Sequence, residues 1–515
     1  MEAKAKKDEP IVLSPHDAFV YETQRHLEKL SMDPRTTDKH YVAAFNKINE
    51  GLNQWPHSRG LQYLLGTLAL FMGNSGLAIS LLRYCMTPQT EKEGSIVRAP
   101  NAWNNLAGAY KAEHDDEMAE ECYMRSVACA LNENGENKAT ELANAYHGIA
   151  SLYINRGMPE RVMHWAEKAL AHNPEDRFAL WNKGLAHLEL GEFGPGFDLY
   201  DRAGFMEGQG KPRDRKLKEY GGKLQKWEGQ RGVTVVCYGE QGVGDEIMFF
   251  SMLPDLMKDC KVIIECDPRI EGILKVSFPG VPIYPTSGID DPYDWLKNHP
   301  ECTHYIACGS LGKFYRRKRE DFPGTPYLKA EPWLVDKWAE IMKDVPRPRI
   351  GLSWAGGLKK TRMDKRSLAL PMLKPILDQD ATFFSLQYHP IAADHCAQYG
   401  TDINKPIFHW GDVVGGPGSG YSDTAAFLSQ LDLVVTVNTS LVHLCGSLGV
   451  PTLCLTPTMR AWRYGGKSGP SYWYNSVEQI NQTKEGHWES VIAEAARRVK
   501  ALVDKTKLDE TQEAA

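Results

Sequence analysis

The sequence lacks any long apolar run. No stretch of about 18 apolar residues occurs along the chain, and the N-terminus, MEAKAKKDEP, is charged and has no signal-peptide pattern. A block of like charge at either end is also missing, and the formal net charge is −6. We therefore expect a cytoplasmic protein without a membrane span. Nucleic acid is not an expected partner, although the basic segment from Lys211 to Lys226 leaves that alternative open.

Metal-binding and disulfide patterns are absent as well. The 11 cysteines are scattered without CxxC pairs or any Cys/His ligand spacing, which excludes a disulfide framework and a zinc site and predicts buried, reduced thiols. Asp290 and Asp291 precede a proline, so we interpret them as a turn and expect no metal. A length of 515 residues with 42% apolar and 24% charged residues is typical of an ordinary globular protein with several units.

The N-terminal part of the sequence contains an internal repeat. Gly157 and Gly191 are 34 residues apart, as are Ala169 and Ala203, and weaker copies of the pattern lie upstream. We count about four repeats between residues 41 and 205, after an N-terminal extension with a helix (1–40). This part resembles the tetratricopeptide family, which implies an α-solenoid whose concave face binds a protein or peptide.

After a basic linker (206–230) the pattern changes to short apolar runs bounded by glycine and proline. Helical segments alternate with these runs, which predicts a parallel α/β architecture. Pro346 and Pro348 indicate a boundary between two lobes, 231–345 and 346–505, followed by a flexible tail, 506–515. The predicted strands span residues 233–239, 261–266, 303–308, 349–356, 382–387, 432–438 and 452–457.

The first of three loops with candidate chemistry is Gly239-Glu240-Gln241-Gly242-Val243-Gly244-Asp245-Glu246, between a strand and a helix. Glycines allow close approach of the backbone to a ligand, and an acid at a helix start is favoured by the helix dipole. Asp245 is therefore either a functional carboxylate or only a stabiliser of the helix N-terminus.

The other two loops carry cations and helix-capping groups. The segment 351–368 places Lys359, Lys360 and Arg366 beside a strand end, which suits a diphosphate but also fits a solvated basic loop. The segment 437–443 opens a helix with hydroxyl groups and free backbone N–H groups, which favour an anion, although an ordinary helix cap and a structural histidine explain it equally well.

Five sequence blocks in a fixed order resemble the heptosyltransferase-like glycosyltransferases of the GT-B fold. The blocks are GEQGVGDE, RIGLSWAGG with RSL, FFSLQ, DTAAFLSQLDLVVTVNTSLVHLCGSLGVPTLCL, and WRYG followed by SYWY. The resemblance covers residues 231 to about 500 and implies a double Rossmann-like unit that follows the helical repeats. It also implies inverting transfer of a sugar from a nucleotide-diphosphate sugar, without a metal or cofactor. The sequence does not identify the acceptor, and a protein or glycan is favoured because helical repeats commonly bind extended peptides.

The resemblance also implies roles for individual residues. Asp245 is expected to be the general base, because an alcohol is a poor nucleophile. Asn438 stands where related sequences usually have aspartate, which leaves the donor open. A non-catalytic scaffold with a decayed GT-B unit and a GT-B sugar epimerase are the alternatives. The expected donor-binding residues are Gly242, Gly244, Gly356, Lys359, Lys360, Arg366, Gln387, Asp423, Thr424, Asn438, Thr439, Ser440 and His443.

Overall fold

The structure is a computed structural model. It describes residues 13–32, 38–87, 99–132, 135–204, 206–207, 211–212, 224–286, 293–357, 362–388, 391–411, 414, 420–465 and 467–513. The chain forms two compact units. The first contains residues 1–152, 165–176 and 206–211, and the second contains residues 153–164, 177–205 and 212–515.

The N-terminal part is helical, as the repeat spacing predicts. A two-stranded pair, β1 (Met206–Glu207) and β2 (Lys211–Pro212), follows the helices. The helices are α1 (Pro15–Met32), α2 (Asp38–Gln54), α3 (Arg59–Phe71), α4 (Ser75–Met86), α5 (Pro100–Ala112), α6 (Asp116–Asn132), α7 (Lys138–Asn155), α8 (Pro159–His172), α9 (Arg177–Leu190) and α10 (Phe193–Ala203).

Glycines separate the paired helices of the two regular repeats. Gly157 lies between α7 and α8 with φ +63°, and Gly191 lies between α9 and α10 with φ +81°. Both values fall in the left-handed region that glycine adopts without steric cost, which explains why the same residue recurs at the predicted spacing. The helix pairs α3/α4, α5/α6, α7/α8 and α9/α10 confirm the prediction of about four repeats.

The first α/β lobe is built on a five-stranded parallel sheet with the order β3-β7-β4-β5-β6. Its strands are β3 (Gln225–Lys226), β4 (Thr234–Tyr238), β5 (Lys261–Cys266), β6 (Ile283–Pro285) and β7 (Cys302–Ala307). Its helices are α11 (Val243–Phe250), α12 (Leu253–Asp259), α13 (Glu271–Ser277) and α14 (Gly312–Tyr315).

The second lobe has a seven-stranded sheet with the order β10-β9-β8-β11-β12-β14-β13, in which only the β13 pairing is antiparallel. Its strands are β8 (Arg349–Ser353), β9 (Thr382–Ser385), β10 (Ile407–His409), β11 (Leu433–Val437), β12 (Thr452–Thr456), β13 (Gly469–Pro470) and β14 (Val477–Asn481). The helices from the connection onward are α15 (Pro332–Met342), α16 (Met363–Arg366), α17 (Lys374–Leu377), α18 (Ala392–Asp402), α19 (Ser422–Leu428), α20 (Ser440–Leu448) and α21 (Glu489–Glu513).

The strand orders identify where a ligand is expected. Counted from β8, the second sheet runs 3-2-1-4-5-7-6, and the sixth strand is the short antiparallel β13 at the edge. Without β13, the parallel strands have the doubly wound order 3-2-1-4-5-6, in which the strand order reverses between the first and fourth strands. In the first lobe, β4 takes the place of β8: β5 and β6 lie on one side of it and β7 lies on the other. Ligands bind at the carboxyl ends of the strands at such switch points. We therefore expect a ligand to bind at the loops after β4, β8 and β11.

All seven strands predicted from the sequence are present, and the α-solenoid followed by two Rossmann-like lobes is confirmed as the fold class. Strands β6 and β10 were missed because they contain only three residues each. Strand β14 was missed because its sequence, VEQIN, alternates polar and apolar residues rather than forming an apolar run.

The last repeat helix contributes to the core of the α/β unit. Phe193, Phe197 and Tyr200 of α10 are buried in the same apolar cluster as Phe249 of α11. Close packing of α9 on α10 depends on Gly184, because a Cβ atom there would lie 3.2 Å from the carbonyl oxygen of Gly196. Helices α9 and α10 are repeat helices by sequence, yet they belong to the second compact unit.

This packing predicts the effect of truncating Phe197, whose side chain is fully buried. Phe197→Ala should lower the free energy of unfolding by about 3–5 kcal/mol, because it removes a buried ring and leaves a cavity. Phe178→Ala on α9, where the ring is 52% exposed, is the control and should change stability by about 0.5 kcal/mol or less. Denaturant unfolding measures both, and equal losses would contradict the assignment of α10 to the α/β core.

Candidate active site

The loop after β4 turns sharply into α11 and carries Asp245 at the third position of that helix. Gln241 has a left-handed backbone, φ +66°, although it is not a glycine. The Gly242 amide donates a hydrogen bond of 3.3 Å to the Asp245 carboxylate, and the pair closes the start of α11. Asp245 therefore does stabilise a helix N-terminus, which was one of the two alternatives for this residue.

Asp245 makes a second contact in addition to the helix cap. Its other carboxylate oxygen forms an ion pair with Arg463, which lies in a short 3-10 turn after β12. Both side chains are 16% exposed, so the pair is largely shielded from solvent and still accessible. A guanidinium compensates the carboxylate charge and fixes its orientation with directional donors.

Arg463 is a site residue that sequence reasoning did not assign. It belongs to the WRYG block that contributed to the family resemblance, yet its 218-residue separation from Asp245 hides the pairing. The sequence signal that could have identified Arg463 is a basic residue in the loop after a predicted buried strand.

The first turns of α11 and α20 are in direct contact at Gly244. A Cβ atom on Gly244 would lie 3.0 Å from the Ser440 Cα atom and 3.2 Å from the His443 ring. The N-terminal ends of two helices from the two lobes consequently meet beside Asp245. The N-terminal end of a helix carries positive partial charge, which favours an anion.

The loop before α20 divides its polar groups between the helix and its neighbours. Thr439 is the N-cap residue, whose hydroxyl accepts a bond of 3.3 Å from the Leu441 amide. The Ser440 hydroxyl shares a hydrogen bond of 2.9 Å with the Tyr421 hydroxyl. The capping interpretation therefore holds for Thr439, and contact of either residue with a donor stays a prediction.

Asn438 points into the fold. Its carboxamide oxygen accepts hydrogen bonds from the Cys454 thiol at 3.0 Å and the Thr456 hydroxyl at 3.1 Å, and the residue is buried. The carboxamide oxygen is therefore bonded to β12, and contact of Asn438 with a donor stays a prediction. A neutral amide suits this place, since an unpaired carboxylate would be costly to bury.

His443 is likewise an internal residue. Its two ring nitrogens contact the Tyr474 hydroxyl at 3.2 Å and the Tyr464 hydroxyl at 3.3 Å. Burial lowers the pKa of His443 to about 3, so the imidazole is neutral at physiological pH. A neutral, buried ring does not supply positive charge to a phosphate, and its observed role is to hold Tyr464, the neighbour of Arg463.

The loop after β8 runs against the loop after β11. A Cβ atom on Gly356 would overlap the Thr439 methyl group, so only glycine allows this approach. The Arg366 guanidinium donates a hydrogen bond of 3.3 Å to the Asn438 carbonyl, and burial lowers the pKa of Arg366. Arg366 therefore lies at the switch point of the second lobe, and its contact with a donor stays a prediction. Lys359 and Lys360 lie outside the described residues.

Gln387 organises the end of β8. Its carboxamide oxygen accepts hydrogen bonds from the Ser353 hydroxyl and from the amides of Trp354 and Ala355, at 3.0–3.3 Å. Its amide group donates to the Ala355 carbonyl at 2.7 Å. Gln387 thus fixes the loop after β8, and it also lines a mostly apolar cavity of about 560 Å³ between that loop and α18.

The start of α19 is hydrogen-bonded to α15. Asp423 accepts hydrogen bonds from Lys337 at 3.1 Å and from the Trp338 indole at 3.2 Å, both on α15. Thr424 is buried. Asp423 therefore anchors α15, and the prediction that these two residues line the nucleotide stays a prediction.

Two further observations concern metals and membranes. Within the described ranges, no group of three His, Cys, Asp or Glu side chains is arranged to hold an ion, and Asp290 and Asp291 lie outside those ranges. Among the helices that the structure describes, none combines the length and apolar character needed to cross a membrane.

Comparison with known proteins supports the repeat assignment. A tetratricopeptide repeat model matches residues 100–128, which include α5 and most of α6. Protein FlbA from Caulobacter vibrioides is 25% identical over 383 residues, which are 70% of this chain and 61% of that protein. The chain therefore spans about 61% of the length of this curated relative.

Solved structures with partial similarity include glycosyltransferases. The Escherichia coli ADP-heptose LPS heptosyltransferase II is 15% identical, with 53% of this chain and 100% of that chain covered and a TM-score of 0.40. The Thermobaculum terrenum O-GlcNAc transferase is 12% identical, with 96% and 94% covered and a TM-score of 0.31. The sheet topology described above carries the fold assignment: helical repeats followed by a two-lobed α/β unit with two Rossmann-like parallel sheets.

The buried state of His443 predicts a pH dependence of stability. Its pKa in the folded protein, about 3, lies below the value near 6.5 of an exposed histidine, so the unfolded chain binds a proton first as the pH falls. The stabilisation is complete above pH 6.5 and is lost below it, by about 1.4 kcal/mol between pH 7.5 and 5.5. Unfolding curves of the wild type and His443→Gln should differ by this amount in their pH dependence. Equal dependence would show that His443 is not buried in neutral form.

Proposed function

We propose that the protein is an inverting glycosyltransferase that moves a sugar from a nucleotide-diphosphate sugar to an acceptor hydroxyl, with Asp245 as general base. The observation that carries this proposal is the shielded Asp245–Arg463 pair beside the contact between the first turns of α11 and α20. A carboxylate from one lobe next to anion-binding groups from the other is what this transfer requires.

The proposed reaction is a single displacement at the anomeric carbon. The acceptor oxygen forms a bond to that carbon while its proton passes to the Asp245 carboxylate. The bond between the carbon and the diphosphate oxygen breaks, and its electron pair leaves with the diphosphate. Arg463 holds Asp245 in place, since a base must lie within hydrogen-bond reach of the proton that it takes.

The donor diphosphate is proposed to bind between the start of α20 and the loop after β8. The support is the N-terminus of the nine-residue helix α20 beside Arg366, a half-buried cation. Together these groups can stabilise the negative charge of a leaving diphosphate without a metal. The cavity lined by Gln387 lies at the carboxyl ends of β8 and β9 and has the size of a small-molecule pocket, so it is the proposed space for the nucleoside. Lys359, Lys360, Thr439 and Ser440 are further proposed donor contacts.

A protein or peptide is the proposed acceptor. Helical repeats expose an extended surface that suits an unfolded peptide, and tetratricopeptide-like pairs occupy the region from α3 to α10. A glycan is the second acceptor class proposed for the same site.

A non-catalytic scaffold is the competing function, and one observation favours it. Asp245 is engaged by both Arg463 and the Gly242 amide, as a purely structural carboxylate would be. Calorimetry with UDP-, GDP- and ADP-sugars separates the two functions. A transferase binds at least one of them, whereas binding of none would support the scaffold.

Asp245→Asn tests the base directly. The amide keeps the size of the side chain and can still accept from the Gly242 amide, but it cannot take a proton. Transfer should fall by about 10²–10⁴-fold, while calorimetric affinity for the nucleotide sugar stays within about twofold. Transfer at the wild-type rate would refute the assignment of the base.

Asp255→Asn is the matched control. Asp255 forms an ion pair of 2.9 Å with Arg316 and is partly buried, but it lies on α12, away from the loops after β8 and β11. Its loss should leave transfer unchanged. If both variants lost transfer equally, the effect would reflect ion-pair loss in general and not proton transfer.

A further inference from the structure

Helix α10, the last helix of the repeats, is hydrogen-bonded to the loop that carries Asp245. The Tyr200 hydroxyl donates a hydrogen bond of 2.7 Å to the Glu240 carboxylate and accepts one from the Gln241 side-chain amide. Tyr200 and Glu240 are both buried. Glu240 and Gln241 come directly before Gly242, whose amide donates a hydrogen bond to the Asp245 carboxylate. The Tyr200 hydroxyl is therefore linked through this loop to the proposed base.

The loop needs such an external contact, because its conformation is not one that its own residues prefer. Gln241 is held at φ +66°, a strained value for a residue with a side chain. The Glu240 side chain fills a space that exists only because residue 309 is glycine. A Cβ atom there would overlap the Glu240 carboxylate and lie 2.6 Å from the Tyr200 hydroxyl.

The same helix also contacts the turn that carries Arg463. Phe197, one turn before Tyr200, packs perpendicular to Trp462, with ring centroids 5.9 Å apart. Trp462 is stacked in turn on Phe249 of α11. Helix α10 therefore touches both segments whose side chains form the Asp245–Arg463 pair.

The Tyr200 hydroxyl stays protonated and can therefore act as a hydrogen-bond donor at all times. Burial, and then the charge of Glu240, raise the pKa of Tyr200 well above its usual value. The hydroxyl therefore keeps its proton throughout the physiological pH range and continues to donate to Glu240.

We propose that Tyr200 is a positioning residue for the catalytic loop, so that α10, a repeat helix by sequence, is a working part of the active site. The hydroxyl holds Glu240 and Gln241 in the conformation that directs Asp245 at Arg463 and at the acceptor. This inference rests on the proposed function for its effect on turnover. Its structural part, that Tyr200 holds the loop, stands independently of any activity.

Tyr200→Phe removes the hydroxyl and keeps the buried ring. We expect kcat per folded molecule to fall about tenfold or more, because small displacements of a catalytic group are costly, while KM for the nucleotide sugar changes little. A hydroxyl that only stabilised the fold would lower the melting temperature and leave kcat unchanged. Wild-type kcat in folded Tyr200→Phe overturns the proposal.

Tyr315→Phe is the matched control. The Tyr315 hydroxyl also donates to a carboxylate, that of Asp259 at 2.9 Å, and its ring packs on Trp227, but it touches neither of the two catalytic segments. Its kcat should equal that of the wild type. An equal fall in both variants would overturn the proposal.

Gln241→Gly provides a second variant in case Tyr200→Phe does not fold. Glycine accepts the left-handed backbone and removes the amide that donates to Tyr200. We expect a similar fall in kcat. The double variant, where it folds, should be no slower than the slower single variant, since both changes release the same loop. Wild-type kcat in Gln241→Gly would overturn the proposal.

Hydrogen exchange separates this inference from the proposed function. Amides of residues 239–246 should exchange faster in Tyr200→Phe, or in Gln241→Gly, than in the wild type and in Tyr315→Phe. Unchanged exchange would overturn the role of Tyr200 even in an active enzyme. If exchange is faster but the wild-type protein transfers no sugar, Tyr200 does hold the loop, and only the proposed function is refuted.

Discussion

The contact between α11 and α20 at Gly244 is the constraint on which the candidate site depends. Because residue 244 has no side chain, the first turn of a helix from one lobe lies against the first turn of a helix from the other. This approach brings the start of α11, with Asp245, to the lobe that carries Arg463, Thr439 and Arg366. Charge and hydrogen bonding then refine the geometry, since Arg463 pairs with the carboxylate and Thr439 caps α20.

The backbone could be predicted from the sequence because its signals are local. Apolar runs bounded by glycine and proline predicted seven buried strands, and the spacing of Gly157 and Gly191 predicted the repeats, since both residues adopt backbone angles that favour glycine. The position of Asp245 after β4 also followed from local sequence. Strands with three residues, such as β6 and β10, were too short to give a comparable signal.

The directions of the side chains could not be predicted in this way. Asn438, His443 and Asp423 occur in the blocks that resemble a donor site, yet their polar atoms bond to Thr456, to two tyrosines and to α15. Burial decides the cases of Asn438 and His443, because a polar group removed from water must find a partner in the fold. Contacts between distant segments, such as Asp245 with Arg463 and Tyr200 with Glu240, leave no pattern in a single sequence.

The central claim is that the site at the contact between α11 and α20 transfers a sugar with inversion from a nucleotide-diphosphate sugar. The most direct measurement is the anomeric configuration of the product, read by NMR from the coupling of the anomeric proton after incubation with an α-linked donor and an accepted peptide or glycan. A single displacement assisted by Asp245 predicts a β-linked product. An α-linked product would contradict the account.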